Sequence, residues 1–156
     1  MDDQLFRKAM GKFATGVTVI TTEAEGEVHG MTANAFMSVS LHPKLVLISI
    51  DKRARMLEKI EQANTFAVSI LAEEQKRYSQ IFAGQEEGEV TFGRLNDLPI
   101  IDDALVNITC NVYNKHEEGD HYLFVGEVTD IAVRDGDPLL FFSGQYNELP
   151  AEKSAN

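Results

Sequence analysis

Val17-Thr18-Val19-Ile20-Thr21-Thr22 is the stretch on which the fold turns. Every residue in it is β-branched, and such side chains favour an extended backbone. Glu25-Gly26-Glu27 follows as a turn signal, and a second extended stretch runs from about Val28 to Phe36. Together they predict an opening hairpin. Upstream, Leu5, Phe6, Ala9, Met10 and Phe13 fall on one face of a helix predicted over Asp2–Phe13, with Asp2 and Asp3 at its positive end and Gly16 closing it.

Downstream, Leu45–Ile50 reads as a strand buried on both faces. A helix is predicted over Ala54–Gln62, with Met56, Leu57 and Ile60 inward. A strand over Phe66–Leu71 and a helix over Glu73–Phe82 come next. Gly84, Gly88, Gly93 and Pro99 mark Gly84–Asp102 as loop. Two long strands, Ala104–Lys115 and His121–Val133, are joined at Glu117-Glu118-Gly119-Asp120, and Leu139–Ser143 is the final strand. Hairpins dominate and no βαβ alternation is present, so the expected fold is mainly β, an antiparallel barrel or sandwich with peripheral helices rather than a Rossmann sheet. A single domain is expected over 1–149, with a disordered tail over 150–156.

The chain has 156 residues, 14 Lys plus Arg and 25 Asp plus Glu, for a net charge of −11. That balance argues against nucleic acid or an anionic membrane as main partners. The single Cys110 excludes an internal disulfide, and the charged start of the chain has no signal-peptide core. Cytoplasm is the expected location.

Three stretches could carry chemistry. In Gly30-Met31-Thr32-Ala33-Asn34-Ala35-Phe36-Met37-Ser38-Val39-Ser40, small and hydroxyl residues replace the usual Val and Ile. Small side chains let a flat ligand approach the backbone, although a strand with a polar outer face has the same composition. Asp51-Lys52-Arg53-Ala54-Arg55 gathers three cations where a helix begins, the end at which cations cost stability unless an anion binds. A solvated basic first turn is the alternative. In Gly119-Asp120-His121, the histidine opens a strand and faces either a cleft or solvent. Metal-ligand spacing, a nucleophile motif and a Gly-x-Gly-x-x-Gly turn are all missing from the sequence.

The order of motifs nevertheless resembles a known family. The matching pieces are Phe13-Ala14-Thr15-Gly16 with the β-branched run to Thr22, His29 to Phe36, Ser38-Val39-Ser40-Leu41 with Pro43, Phe82-Ala83-Gly84, Gly119-Asp120-His121 with Gly126-Glu127-Val128, and Pro138 to Phe142 with Gly144 and Tyr146. They resemble the short-chain flavin reductases of two-component flavin-dependent monooxygenases, closest to the reductases of phenol and 4-hydroxyphenylacetate hydroxylases. The resemblance implies an FMN-binding split barrel, a homodimer, and reduction of FAD or FMN by NADH. Reduced flavin would go to a separate oxygenase component that hydroxylates an aromatic substrate. By position, Gly30 and Met31 would lead into the ring-lining Thr32, Ala33, Asn34 and Ala35, while Ser38, Val39 and Ser40 would follow the ribityl chain and phosphate. Asp51, Lys52, Arg53 and Arg55 would form the phosphate-facing segment, and Phe82, Ala83 and Gly84 would close the pocket. Gly144 and Tyr146 would flank the nicotinamide nucleotide, and His121 would be the catalytic side chain beside both rings. A pyridoxamine-phosphate-oxidase-like flavoprotein and a non-catalytic flavin- or haem-binding protein are the alternatives.

Overall fold

A computed structural model of the chain describes residues 1–151. Seven strands form one antiparallel sheet: β2 (Thr18–Ala24), β3 (Glu27–Ala33), β4 (Phe36–Leu41), β5 (Lys44–Asp51), β6 (Thr65–Ile70), β9 (Val106–Glu118) and β10 (His121–Val133). Their spatial order is β3-β2-β6-β9-β10-β5-β4. The two edges, β3 and β4, are consecutive in the chain and joined only by Asn34-Ala35. Flat, seven strands would hold their edges roughly 29 Å apart. The three Cα steps from Ala33 to Phe36 reach at most about 11 Å. The sheet therefore rolls until its edges meet at one corner. It remains unpaired between them, and the result is a barrel with a split.

The interior is filled by Ile20, Ile48, Ile50, Phe66, Val68, Cys110 and Phe124. Helix α2 (Arg55–Ala63) adds Met56 and Ile60 to that cluster. A second apolar cluster lies on the outer face of β2 and β6, where Val17, Val19, Leu71, Ile101 and Leu139 meet. Helix α3 (Lys76–Phe82), entered through a 3-10 turn at Glu73–Gln75, supplies Tyr78 and Phe82. Strands β7 (Phe92–Leu95) and β8 (Leu98–Ile101) form a small hairpin over the same face. A three-stranded sheet of β1 (Thr15–Gly16), β11 (Leu139–Phe142) and β12 (Gln145–Glu148) flanks it.

The mainly β architecture with helices at its margin is as expected, but five local expectations are corrected. The strand predicted over Val28–Phe36 breaks after Ala33, because the chain leaves one barrel edge for the other. The doubly buried strands are β2 and β6 rather than the Leu45–Ile50 stretch; β5 buries only Val46, Ile48 and Ile50 fully, since the second cluster does not reach its outer face. The predicted loop over Gly84–Asp102 contains the β7–β8 hairpin. A final strand, β12, follows Ser143-Gly144. Helix α1 (Asp3–Met10) stops at Gly11, short of Phe13, and none of its residues is buried. The expected tail over 150–156 lies, from residue 152 onward, outside the described residues.

Candidate functional site

The corner that closes the barrel is also where backbone groups lack partners. Ala33 still accepts from Thr18 Oγ1 at 2.6 Å, and the Ala35 carbonyl accepts from the Ser49 N–H at 3.3 Å. The next two amides, Asn34 and Ala35, donate to no acceptor among the described residues. Two consecutive free N–H groups between alanines leave backbone donors open to a ligand and no bulk to keep it away. Cavities open on both sides of this corner. One, of about 860 Å³, is lined by Asn34, Ala35, Phe36, Met37 and Leu47 together with Met10, Phe13 and Thr15. Thr15 Oγ1 is buried without a partner. The other, of about 190 Å³, is lined by Thr32, Ala33, Asn34, Ser79, Ala83, Gln85, Phe141 and Tyr146.

Two further cavities share lining residues with the smaller one or with each other. Asn34 and Phe141 pass into a space shared with Phe6, Arg7 and Gly144. Phe6 and Arg7 lead on to Asp51, Arg53, Asp120 and His121. Strand register explains why His121 comes near the corner. Ala35 bonds Ser49, Ser49 pairs with Leu123, and His121 lies two residues from Leu123 on the same face. His121 Nδ1 sits 2.7 Å from Asp120 Oδ1, and that hydrogen bond is the main cause of a lowered Asp120 pKa.

Residues 10–150 match the model of the flavin reductase like domain. The chain belongs to that family. It is 48% identical over 148 residues to an NADH-dependent flavin reductase of a Rhodococcus species, covering 92% of this chain and 84% of that protein. It is 36% identical over 149 residues to the reductase component of 4-hydroxyphenylacetate 3-monooxygenase from Thermus thermophilus, covering 94% and 96%. Among solved structures, flavin reductase PheA2 in its native state superposes with a TM-score of 0.95 at 63% identity, covering 97% of this chain and all of that one. The split barrel of the flavin reductases is thus the fold of this chain.

Within that frame the structure brings Thr32, Ala33, Asn34, Ala83 and Tyr146 to one cavity, Asn34 and Gly144 to a second, and His121 to a third that shares Phe6 and Arg7 with the second. Other expected residues stand elsewhere. A Cβ on Gly30 would lie 2.4 Å from the Phe82 ring, so Gly30 is small to admit Phe82. Phe82 packs into the outer apolar cluster and Met31 against the interior one. Gly84 has a φ of 75°, in the left-handed region, and the Gly84 and Gln85 amides cap α3 by donating to the Ile81 and Gln80 carbonyls. This cap delivers Gln85 to the cavity rim. Gly144, with Ser143, makes the two-residue turn between β11 and β12.

The cationic segment is less open than its sequence suggests. Asp51 accepts from the Arg53 amide at 2.7 Å and from its guanidinium at 2.9 and 3.1 Å, and these bonds hold its carboxyl far below the usual range. Lys52 is paired with Glu117, which raises the lysine and lowers the carboxylate. Arg55 has no ion-pair partner among the described residues, and Ala54, the residue preceding α2, gives the helix no side-chain cap. Ser38 and Ser40 pair with Val46 and Leu45, whereas Lys52 follows the opposite end of β5. Six residues of strand span about 20 Å. The two expected phosphate-facing stretches thus stand at opposite ends of β5.

Sequence reasoning missed Ser79, Gln85 and Arg7 as lining residues. Ser79 carried a faint signal, a small hydroxyl residue three positions before the apolar Phe82 on an otherwise inward helix face. Cys110 is inert: burial pushes its thiol up to about 12. Among the described residues, no cluster of His, Cys, Asp and Glu could hold a metal.

Proposed function

We propose that this chain is an NADH-dependent flavin reductase that reduces FAD or FMN and passes the reduced flavin to a separate oxygenase component acting on an aromatic substrate. The observation that carries the reading is the pair of unpartnered Asn34 and Ala35 amides at an alanine-lined corner between two cavities. A flavin ring presents nitrogen and carbonyl acceptors along one edge of a flat apolar body, which suits such a corner. When bound, the flavin accepts a hydride from the nicotinamide, and that chemistry belongs to the two cofactors. The chain's own residues bind and orient. The Asn34 and Ala35 N–H groups donate to the ring edge, and donors held there favour the electron-rich reduced ring. Thr32, Ala33 and Tyr146 shape the smaller cavity for the nicotinamide. His121, fixed through Nδ1 by Asp120, lines the cavity shared with Phe6 and Arg7 as the side chain that orients the reductant. The uncapped start of α2 and Arg55 take the flavin phosphate.

The same reading includes a homodimer. Phe13 is 78% exposed, and Leu5, Phe6, Met10, Met37, Val39 and Leu41 also stand in solvent. Exposed apolar groups of this number mark an interaction surface, and a second copy covering it would enclose the larger cavity. Residues 1–149 act as one domain, its two apolar clusters sharing strand β2. No described helix is long and apolar enough to cross a membrane. A buried lone thiol suits the cytoplasm.

Mixing the protein and FMN with NADH under nitrogen tests the activity. Catalytic bleaching of the flavin band is expected, and its absence removes the proposal. Turnover of pyridoxamine phosphate in air instead would favour an oxidase. His121→Ala should slow bleaching by about tenfold or more, as expected of lost orientation. Its FMN affinity should stay within about twofold, since it removes no proposed flavin contact.

A further inference from the structure

Ser79 is fully buried, in a helix whose neighbours Tyr78 and Phe82 pack into an apolar cluster. A buried hydroxyl needs a partner, and this one has a specific partner. Ser79 Oγ lies 2.7 Å from Tyr146 Oη on β12. The Ser79 carbonyl accepts from Thr32 Oγ1 on β3 at 2.6 Å. One helical residue thus ties together two walls that come from chain positions far apart, and all three residues line the cavity of about 190 Å³. The Tyr146 ring is steadied further by the Phe141 edge, with centroids 5.4 Å apart, and by Lys76 Nζ 5.3 Å from its centre. The phenolic oxygen has no other hydrogen-bond partner than Ser79 among the described residues.

We infer that Ser79 is a positioning residue for the reductant: its bond to Tyr146, together with its carbonyl bond to Thr32, sets the width of the cavity that receives the nicotinamide. This rests on the assignment of that cavity to NADH made above. Without the hydroxyl, the Tyr146 phenol loses its anchor to α3. The nicotinamide is then held less closely against the flavin, while the Asn34 and Ala35 amides are untouched. The consequence falls on NADH rather than on flavin.

The test compares Ser79→Ala, Tyr146→Phe, the double variant and Tyr146→Ala in the full chain. KM for NADH, kcat, FMN affinity from fluorescence quenching, and the long-wavelength charge-transfer absorbance on anaerobic mixing are measured. Ser79→Ala and Tyr146→Phe should each raise KM for NADH by about three- to tenfold, the effect of one neutral hydrogen bond. Both should weaken the charge-transfer band and leave FMN affinity within about twofold, because neither touches the proposed flavin contacts. The double variant should match the worse single one, since both remove the same bond. Tyr146→Phe lies on a partly exposed strand and supports the same comparison should Ser79→Ala fold poorly. An unchanged KM and band in Ser79→Ala, with KM still sharply raised in Tyr146→Ala, overturns the positioning role alone. An unchanged KM in Tyr146→Ala overturns the assignment of the cavity to NADH. Losses that add in the double variant, or FMN affinity falling in step with KM, also overturn the inference.

Discussion

Arg55 separates the local reading of charge from the three-dimensional one. Sequence shows three cations in four positions, yet Lys52 and Arg53 have carboxylate partners in Glu117 and Asp51. Arg55 keeps its charge beside an uncapped helix start. Arg55→Ala is therefore expected to weaken FMN by about tenfold, the scale of one charge-assisted contact, while riboflavin binding is unchanged. Fluorescence titration of both flavins checks it, and equal losses would remove the phosphate from this corner. The small-residue run Thr32 to Ala35 stands out from a Val- and Ile-rich strand, but a strand with a polar outer face has the same composition, and only the order of motifs along the chain ties the run to a flavin. Ser79 was not legible, because a serine in an amphipathic helix becomes informative only when its partner, Tyr146, arrives from the other end of the chain.

Among elements, the long ones were readable and the short ones were not. Strands β9 and β10 carry enough alternation to announce themselves. The β7–β8 hairpin has only four residues a side, and Pro99 and Gly93 read as breakers. Its turn, Asn96-Asp97, has both φ values positive, at 48° and 64°, the conformation of a tight hairpin. A Cβ on Gly93 would meet the tip of the exposed Asp102 side chain at 2.0 Å, so the carboxylate would have to swing aside. Pairing between distant strands is likewise invisible in sequence, and Gly126 shows its consequence. In β10 it faces Phe66 Cζ, which a Cβ would approach to 2.5 Å, and the Cys110 side chain at 2.9 to 3.0 Å. Both neighbours are fully buried. Gly126→Ala should therefore destabilise the fold by about 1–3 kcal/mol through overpacking. Chemical denaturation measures this directly, and a variant as stable as the parent would show that the barrel wall gives way more easily than its packing implies.

For the whole molecule, rolling a seven-stranded sheet until β3 and β4 meet creates the corner, and the corner creates the site. The same closure leaves β4 as an edge, with Met37, Val39 and Leu41 exposed and Met37 sharing a cavity with Met10 of α1. A second copy over that face predicts sedimentation at roughly twice the 17.4 kDa chain mass, and Phe13→Glu with Met37→Glu should return the protein to monomer. A parent protein that is monomeric at micromolar concentration would contradict this. The barrel class was legible from hairpin signals, but its closure was not, since it follows from which strands pair rather than from where they lie.

The claim on which the rest depends is that the flavin ring is held by the backbone of the β3–β4 corner. Amide nuclear magnetic resonance of ¹⁵N-labelled protein titrated with FMN tests it most directly. The Asn34 and Ala35 N–H signals should show the largest shifts and become protected from solvent exchange as FMN binds. Binding of FMN that leaves those two signals in place while others move would contradict the account.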